Sequence, residues 1–307
     1  MDYNLICLGN LTIDDVILPD QTQQLGCFGG DAIYAAFGAA CWIDRLGFVA
    51  PVGTDFPLKH LSHLQETGWD MRGLPKRDIP SIRNWVIYQD NNHRKWILES
   101  NPDDFLELSP SLKDIPVEYL ESKAFLILAM DLAAQEALVP TLHKKGLVAL
   151  DPQEDYIEGN VDRILSMLKN VDIFLPSQEE VFRLLGHHDY KRACEQFGRC
   201  GVRIVVIKLG SEGSLIFNSG NKTFLNIPIY QTGVIDTTGA GDAYCGGFMA
   251  MLVKTGNLKN AGLAGAVSAS FAIEEIGLTH MFHIDPMDAQ ARFDKLKGLI
   301  HSNEEQE

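Results

Sequence analysis

Residues 236–242, Asp-Thr-Thr-Gly-Ala-Gly-Asp, set two carboxylates around a stretch of small side chains. The glycines at 239 and 241 let the main chain approach a ligand closely, and the run that follows, "AYCGGFMAMLV", is suited to a helix. A helix starting here aims its first N–H groups back over the loop. That makes an anion site of the kind that holds a phosphoryl group in transit, formed by the amides of Gly239, Ala240, Gly241 and Asp242. Asp242 falls in the first turn, where the helix dipole favours its ionised form, as a general base requires. Such a carboxylate is a weak base, which phosphoryl transfer tolerates because its loose transition state depends mostly on positioning. Acids are also common as plain helix-start residues, so this short motif alone does not separate a base from a cap.

Other residues of matching chemistry lie far away in sequence. Asp14, in "LGNLTIDDVI" (8–17), precedes the glycine pair Gly29-Gly30, and one carboxylate can accept from two adjacent hydroxyls of a polyol. "IKLGSEGSLIF" (207–217) carries Lys208, then Gly210 and Gly213, which permit a tight turn beside which a purine can lie, with Ser211 able to hydrogen-bond. Asp236 and Thr238 offer oxygens to a cation, or equally serve turn chemistry and N-capping. Ser177 and Glu180 form an SxxE capping box at the start of "SQEEVFRLLG". His60 and His63, His187-His188, and Cys194 with Cys200 lack the partners a metal site needs and read as structural.

The elements that must position these residues alternate. "LICLG", "FVAPVG", "AFLILAM", "LVALD", "VDIFLP" and "RIVVIKLG" read as strands, and amphipathic helical stretches lie between most of them. Near-continuous apolar strands separated by helices predict an α/β fold with a mostly parallel central sheet covered on both faces. "GDAYCGGFMAMLVKTG" and "LAGAVSASFAIEEIG" predict small-residue helices built for close packing. Segments 11–30 and 81–100 break the rhythm and predict paired strands, the second with a turn at "QDNNHR". Such strands suit a small cap over the carboxyl ends of the main sheet, where open α/β sheets bind ligands. Trp85, Tyr88 and Trp96 in that cap read first as hairpin packing. With no repeat or linker in view, the chain reads as one domain over 1–307, frayed at "HSNEEQE".

The formal charge of −15 argues against a non-specific nucleic-acid partner, though backbone amides still bind anions whatever the net charge. Six scattered cysteines, no signal-peptide pattern at the start and no apolar run long enough to span a bilayer predict a cytoplasmic protein without a membrane partner.

Taken in order, "LGNLTIDDVI", "GGDAIYAAFGAACWIDRLG" (29–47), "PVGTD" (51–55), "LPSQEEV" (175–181), "IKLGSEGSLIF" and "DTTGAGDAY" resemble the motifs of the ribokinase-like (PfkB) carbohydrate kinases over nearly the whole chain. The resemblance implies a ribokinase-like α/β fold with a small β lid from about 11–28 and 81–100. It implies ATP-dependent, Mg²⁺-assisted phosphorylation of a hydroxyl on a small sugar or polyol. Carried over by position, Asp242 is the base and the 239–242 amides are the anion hole. Asp14, Gly30, Thr12 and Tyr34 then face the substrate, Lys208, Gly210, Ser211 and Gly213 the nucleotide, and Glu180 the Mg²⁺ waters. Asp236 and Thr238 would face a monovalent cation such as K⁺. The resemblance also suggests a homodimer joined through the lid. Serine at 177 stands where the family has asparagine, and Tyr34 stands where it often has asparagine facing the substrate. Thr12 likewise stands where many of its sugar kinases have a longer polar group; these departures point away from ribose, and two alternatives stay open: a nucleoside kinase of the same fold, or a non-catalytic nucleotide- or sugar-binding module.

Overall fold

The computed structural model of the chain describes residues 3–88 and 94–304. Among these, the strands are β1 (Leu5–Leu8), β2 (Thr12–Ile17), β3 (Gln23–Gly29), β4 (Leu46–Val49), β5 (Ile82–Tyr88), β6 (Arg94–Leu98), β7 (Ala124–Ile127), β8 (Leu147–Leu150), β9 (Ile173–Phe174), β10 (Ile204–Lys208), β11 (Ser214–Asn218) and β12 (Thr223–Ile227). The α-helices are α1 (Asp31–Ala40), α2 (Leu58–Glu66), α3 (Pro102–Leu108), α4 (Leu132–Leu142), α5 (Val161–Met167), α6 (Gln178–Leu185), α7 (Tyr190–Arg199), α8 (Ala240–Thr255), α9 (Leu258–Ala272) and α10 (Pro286–Glu304).

Eight strands form one sheet in the order β12-β11-β10-β9-β8-β7-β1-β4, parallel from β4 to β10 and antiparallel at the β10-β11-β12 end. The side chains of β1 alternate between two cores. Leu5 and Cys7 join the layer that includes α1, α8 and α9; Ile6 and Leu8 join the layer of α4 to α7. Covering on both faces is what a fully apolar parallel strand demands, and it explains why "LICL" is buried at every position. The helices rich in small residues lie on one side because they must come very close. A Cβ on Gly38 would meet the Ala243 carbonyl at 2.3 Å, and one on Gly246 would meet the Ala35 carbonyl at 1.9 Å.

The second sheet is four-stranded, in the order β3-β2-β5-β6, with β2 parallel to β5 and a bulge between Asp14 and Val16. It is the expected cap over 11–30 and 81–100, and it arises because β2 and β5, 70 residues apart, pair in register with Asp14 opposite Asn84. The turn expected at "QDNNHR" falls mostly on 89–93, outside the described residues. At the other end helix α10 runs to Glu304, and 305–307 lie outside the described residues.

Candidate active site

Helix α8 begins where the apolar run predicts. Its N-cap is Gly239, in the left-handed region at φ 72°, and Asp242 stands in the first turn. The left-handed turn is one reason for glycine here. The other is space, since a Cβ at 239 would lie 2.2 Å from the ring of Tyr34. Tyr34, on α1, is therefore packed flat against the loop and is 2% exposed. Its hydroxyl pKa is raised well above the ordinary value by burial first, then by Asp236, Asp14, Tyr88 and Asp242. Those four groups, two from the small sheet, one from the loop and one from the start of α8, converge on one buried phenol.

Asp14 is 4% exposed and accepts a hydrogen bond from Asn84 Nδ2 at 3.0 Å. Burial pushes its carboxyl up to about 6, against the opposing hydrogen bonds of Asn84 and Thr12. The glycine pair behind it has a structural task. A Cβ on Gly29 would overlap Asp14 Oδ2, and one on Gly30, at φ 116°, would lie 2.3 Å from the Asn10 carbonyl. Gly30 thus lets α1 start directly against the backbone of Asn10 and Leu11. That helix start carries Asp31, which the sequence reading does not single out. Asp31 accepts from Asn10 N–H at 2.8 Å, and burial followed by the charge of Asp242 raises its carboxyl well above the usual range.

Three carboxyl ends of the main sheet, after β8, β9 and β10, meet beneath the α8 start. Lys208 Nζ lies 2.6 and 2.7 Å from the two oxygens of Asp151 and 3.6 Å from Cys245 Sγ, and a Cβ on Gly241 would sit 3.5 Å from it. Burial, the largest single influence, works against the ammonium, but Asp151, Cys245 and Glu180 together outweigh it and hold Lys208 charged, well above the usual lysine range. A cation therefore lies under the amides of the α8 start, where an isolated lysine would be too costly to bury. Asp151 and Cys245 are further site residues that sequence reasoning did not find. Their pairing with Lys208 spans 57 and 37 residues and leaves no local pattern.

Glu180 and Ser177 make the predicted capping box of α6, with Ser177 N–H donating to Glu180 Oε2 at 2.6 Å and Glu180 N–H to Ser177 Oγ at 3.2 Å. Glu180 is buried, and burial together with Asp151 raises its carboxyl. Gly210, Ser211 and Gly213 lie on the turn between β10 and β11, where Gly210 and Ser211 are exposed. Asp236 is 2% exposed and accepts from Thr238 N–H at 2.7 Å and from the Tyr88 hydroxyl. The turn reading of Asp236 is therefore present in the structure, whereas the capping reading is not, since α8 starts at Gly239 with no side-chain cap hydrogen bond. Tyr88 differs from its hairpin-packing expectation: it ends β5 and reaches across to this loop.

Similarity to known proteins defines a phosphotransferase acting on an alcohol group. The profile of the pfkB family carbohydrate kinases matches residues 5–284, and the chain belongs to that family. It is 30% identical to a cytidine kinase of Thermococcus kodakarensis over 254 residues, covering 80% of this chain and 87% of that one. The crystal structure of the Methanocaldococcus jannaschii nucleoside kinase, an archaeal member of the ribokinase family, superposes with a TM-score of 0.78 at 21% identity, covering 96% and 99% of the two chains. Arabidopsis thaliana ribokinase, complexed with ribose and ATP, gives 0.76 at 20% identity, covering 95% and 99%. Among the described residues no helix is long and apolar enough to cross a membrane.

Proposed function

We propose that the chain transfers the γ-phosphoryl group of ATP to a hydroxyl of a nucleoside, with Asp242 as the base. The observation that carries the chemistry is the left-handed Gly239 cap, which puts Asp242 in the first turn of α8 and within the field felt by Tyr34, together with Asp14. Asp242 takes the proton of the acceptor hydroxyl while the Gly239–Asp242 amides and the Lys208 charge hold the negative charge in transit. Asp14 and Thr12 grip vicinal hydroxyls, as a ribose ring presents. The β lid excludes water from the pair.

The residues fit ATP with Mg²⁺. Among the described residues no group of three or more His, Cys, Asp or Glu could hold a metal alone. That suits Mg²⁺, which keeps several waters and binds through phosphates and one or two carboxylates, here assigned to Glu180 and Asp151. Mg²⁺ supplies neutralisation of the phosphate charge. The exposed Gly210–Gly213 turn is assigned to the base of the nucleotide, and Asp236 Oδ2, with one long 3.4 Å contact from Gly277 N–H, to a monovalent cation.

A nucleoside is favoured over a plain sugar by the 30% identity to a cytidine kinase and by Tyr34, whose phenol feels the charges of Asp14 and Asp242. The test is ADP release from the purified chain with ATP and Mg²⁺, run with nucleosides beside pentoses, hexoses and inositols. Turnover on nucleosides is expected to exceed that on free ribose by tenfold or more, and a sugar or inositol as the better acceptor overturns the assignment. ATP binding with no turnover on any acceptor would instead support a binding module.

Acceptor affinity should depend on pH through Asp14. Its carboxylate is the form that accepts hydroxyl protons, and its pKa lies near 6. Acceptor KM is therefore expected to rise about tenfold for each unit of pH below 6 and to level off above about 7. Asp14→Asn should raise KM throughout and flatten that slope; an unchanged slope in the variant rules Asp14 out as its source.

Leu25, Trp96, Ile97 and Leu98 are 60, 43, 38 and 41% exposed on β3 and β6, the two edges of the lid sheet. Pairing two lids would cover these edges, so we assign them to a homodimer. Light scattering is expected to give twice the chain mass, and a monomer at micromolar concentration overturns the assignment.

A further inference from the structure

We propose that the Tyr88 hydroxyl is a latch joining the β lid to the anion-hole loop, which makes Tyr88 a positioning residue for phosphoryl transfer. The inference rests on the kinase reading of residues 236–242. Strand β5 is tied to the α/β body at both ends. At its start, Ser81 N–H donates to Asp55 Oδ1 at 2.7 Å and Arg83 Nη2 lies 3.0 Å from Asp55 Oδ2. At its finish, about 20 Å away along the strand, Tyr88 donates its hydroxyl proton to Asp236 Oδ1. The same hydroxyl lies 3.1 Å from Thr238 Oγ1.

The consequence follows from which oxygen is used. Asp236 Oδ1 also accepts Thr238 N–H at 2.7 Å, and Thr238 is followed directly by the left-handed Gly239 that starts α8. One buried oxygen therefore holds the lid with one hydrogen bond and the anion-hole loop with another. Asp236 Oδ2 brings in a third segment through Gly277 N–H, and a Cβ on Gly277 would lie 3.8 Å from Cys27 Cβ and 3.9 Å from the Phe28 carbonyl of β3. A buried carboxylate needs its donors, so when the lid moves away Oδ1 loses one of them and the clamp on Thr238 loosens. Lid position and anion-hole geometry are thereby set together. The site then completes its amides around the phosphoryl group only when the lid shields the acceptor from water.

The sequence gives no hint of this link, because Tyr88 and Asp236 are 148 residues apart and Tyr88 alternates like any strand residue. The test uses the whole chain with Tyr88→Phe, which keeps the ring and removes the hydroxyl. Amide hydrogen exchange is read without ligand at 237–242 and, in the same sample, at β7 and β8. Exchange at 237–242 is expected to quicken about tenfold, with β7 and β8 unchanged. With the best acceptor, kcat should fall tenfold or more at a KM for ATP within twofold. ADP released per acceptor phosphorylated should rise from near one to above two. Arg83→Ala removes the ion pair from the other tie of β5 and should leave both 237–242 exchange and that ratio as in the unaltered chain. Equal quickening everywhere, or no change at 237–242, overturns the latch. Exchange needs no acceptor, so failure of the nucleoside assignment leaves this result standing on its own.

Discussion

Asp242→Asn is expected to bind ATP and acceptor as the unaltered chain does and to lose turnover by about a thousandfold, the range a single general base supplies. The substitution keeps size and the helix-start position, so it isolates proton transfer from packing. Asparagine also removes a charge that acts on Asp31, whose carboxyl is raised by burial and then by Asp242. Asp31 should therefore ionise more readily in the variant, so a melt of the variant is read beside its kinetics to separate folding from turnover. Calorimetry for both ligands beside single-turnover kinetics decides it. Turnover within tenfold of the unaltered chain would remove Asp242 from the role of base and leave it a helix-start acid.

Gly239→Ala should be nearly as damaging for a different reason. A left-handed residue with a side chain costs about 1–2 kcal/mol. The added carbon would lie 2.2 Å from the Tyr34 ring, which has no room to retreat in a buried layer between α1 and α8, and such overpacking costs about 1–3 kcal/mol more. Either the ring or the start of α8 must shift, and both carry the site. A stability loss of about 2–5 kcal/mol and a fall in kcat of about a hundredfold are expected. Gly241→Ala is the internal comparison. Its Cβ would make an ordinary 3.5 Å contact with Lys208 Nζ inside a regular helical turn, so the chain should melt close to the unaltered temperature. Denaturant melts of both variants, with kcat for each, check the pair. Gly239→Ala with ordinary kcat would move the anion hole elsewhere.

The layer architecture was legible because its signals are local. Apolar strands of four to five residues such as "LICL", "AFLI" and "IVVIK", alternating with amphipathic helical stretches, read as strands of a buried sheet, and the SxxE box of α6 and the glycine-led start of α8 are written within a few residues. Strand ends were less legible: "FVAPVG" predicts a strand over 48–53, while β4 runs from Leu46 to Val49. The chain turns away there so that Ala50 and Val52 can bond to Gly73 and Pro75 instead of β1.

Within the site, motif residues that are close in sequence were the readable part: Asp242 with Gly239 to Gly241, and Ser177 with Glu180. Asp14 could be named but its environment could not, because the carboxyl's rise to about 6 comes from burial under a strand pairing 70 residues distant. Asp151, Asn84, Asp31 and Tyr88 carry no local mark at all. Each acquires its role from a partner that only the crossing of β strands and loops brings within hydrogen-bond reach. Composition and short-range pattern act through backbone preference and the burial of apolar faces, so they determined the class of fold and the chemistry of the glycine-rich loop. Charge pairing, pKa and the tie between lid and loop depend on distances of about 3 Å between remote segments, and those exist only once the chain has folded.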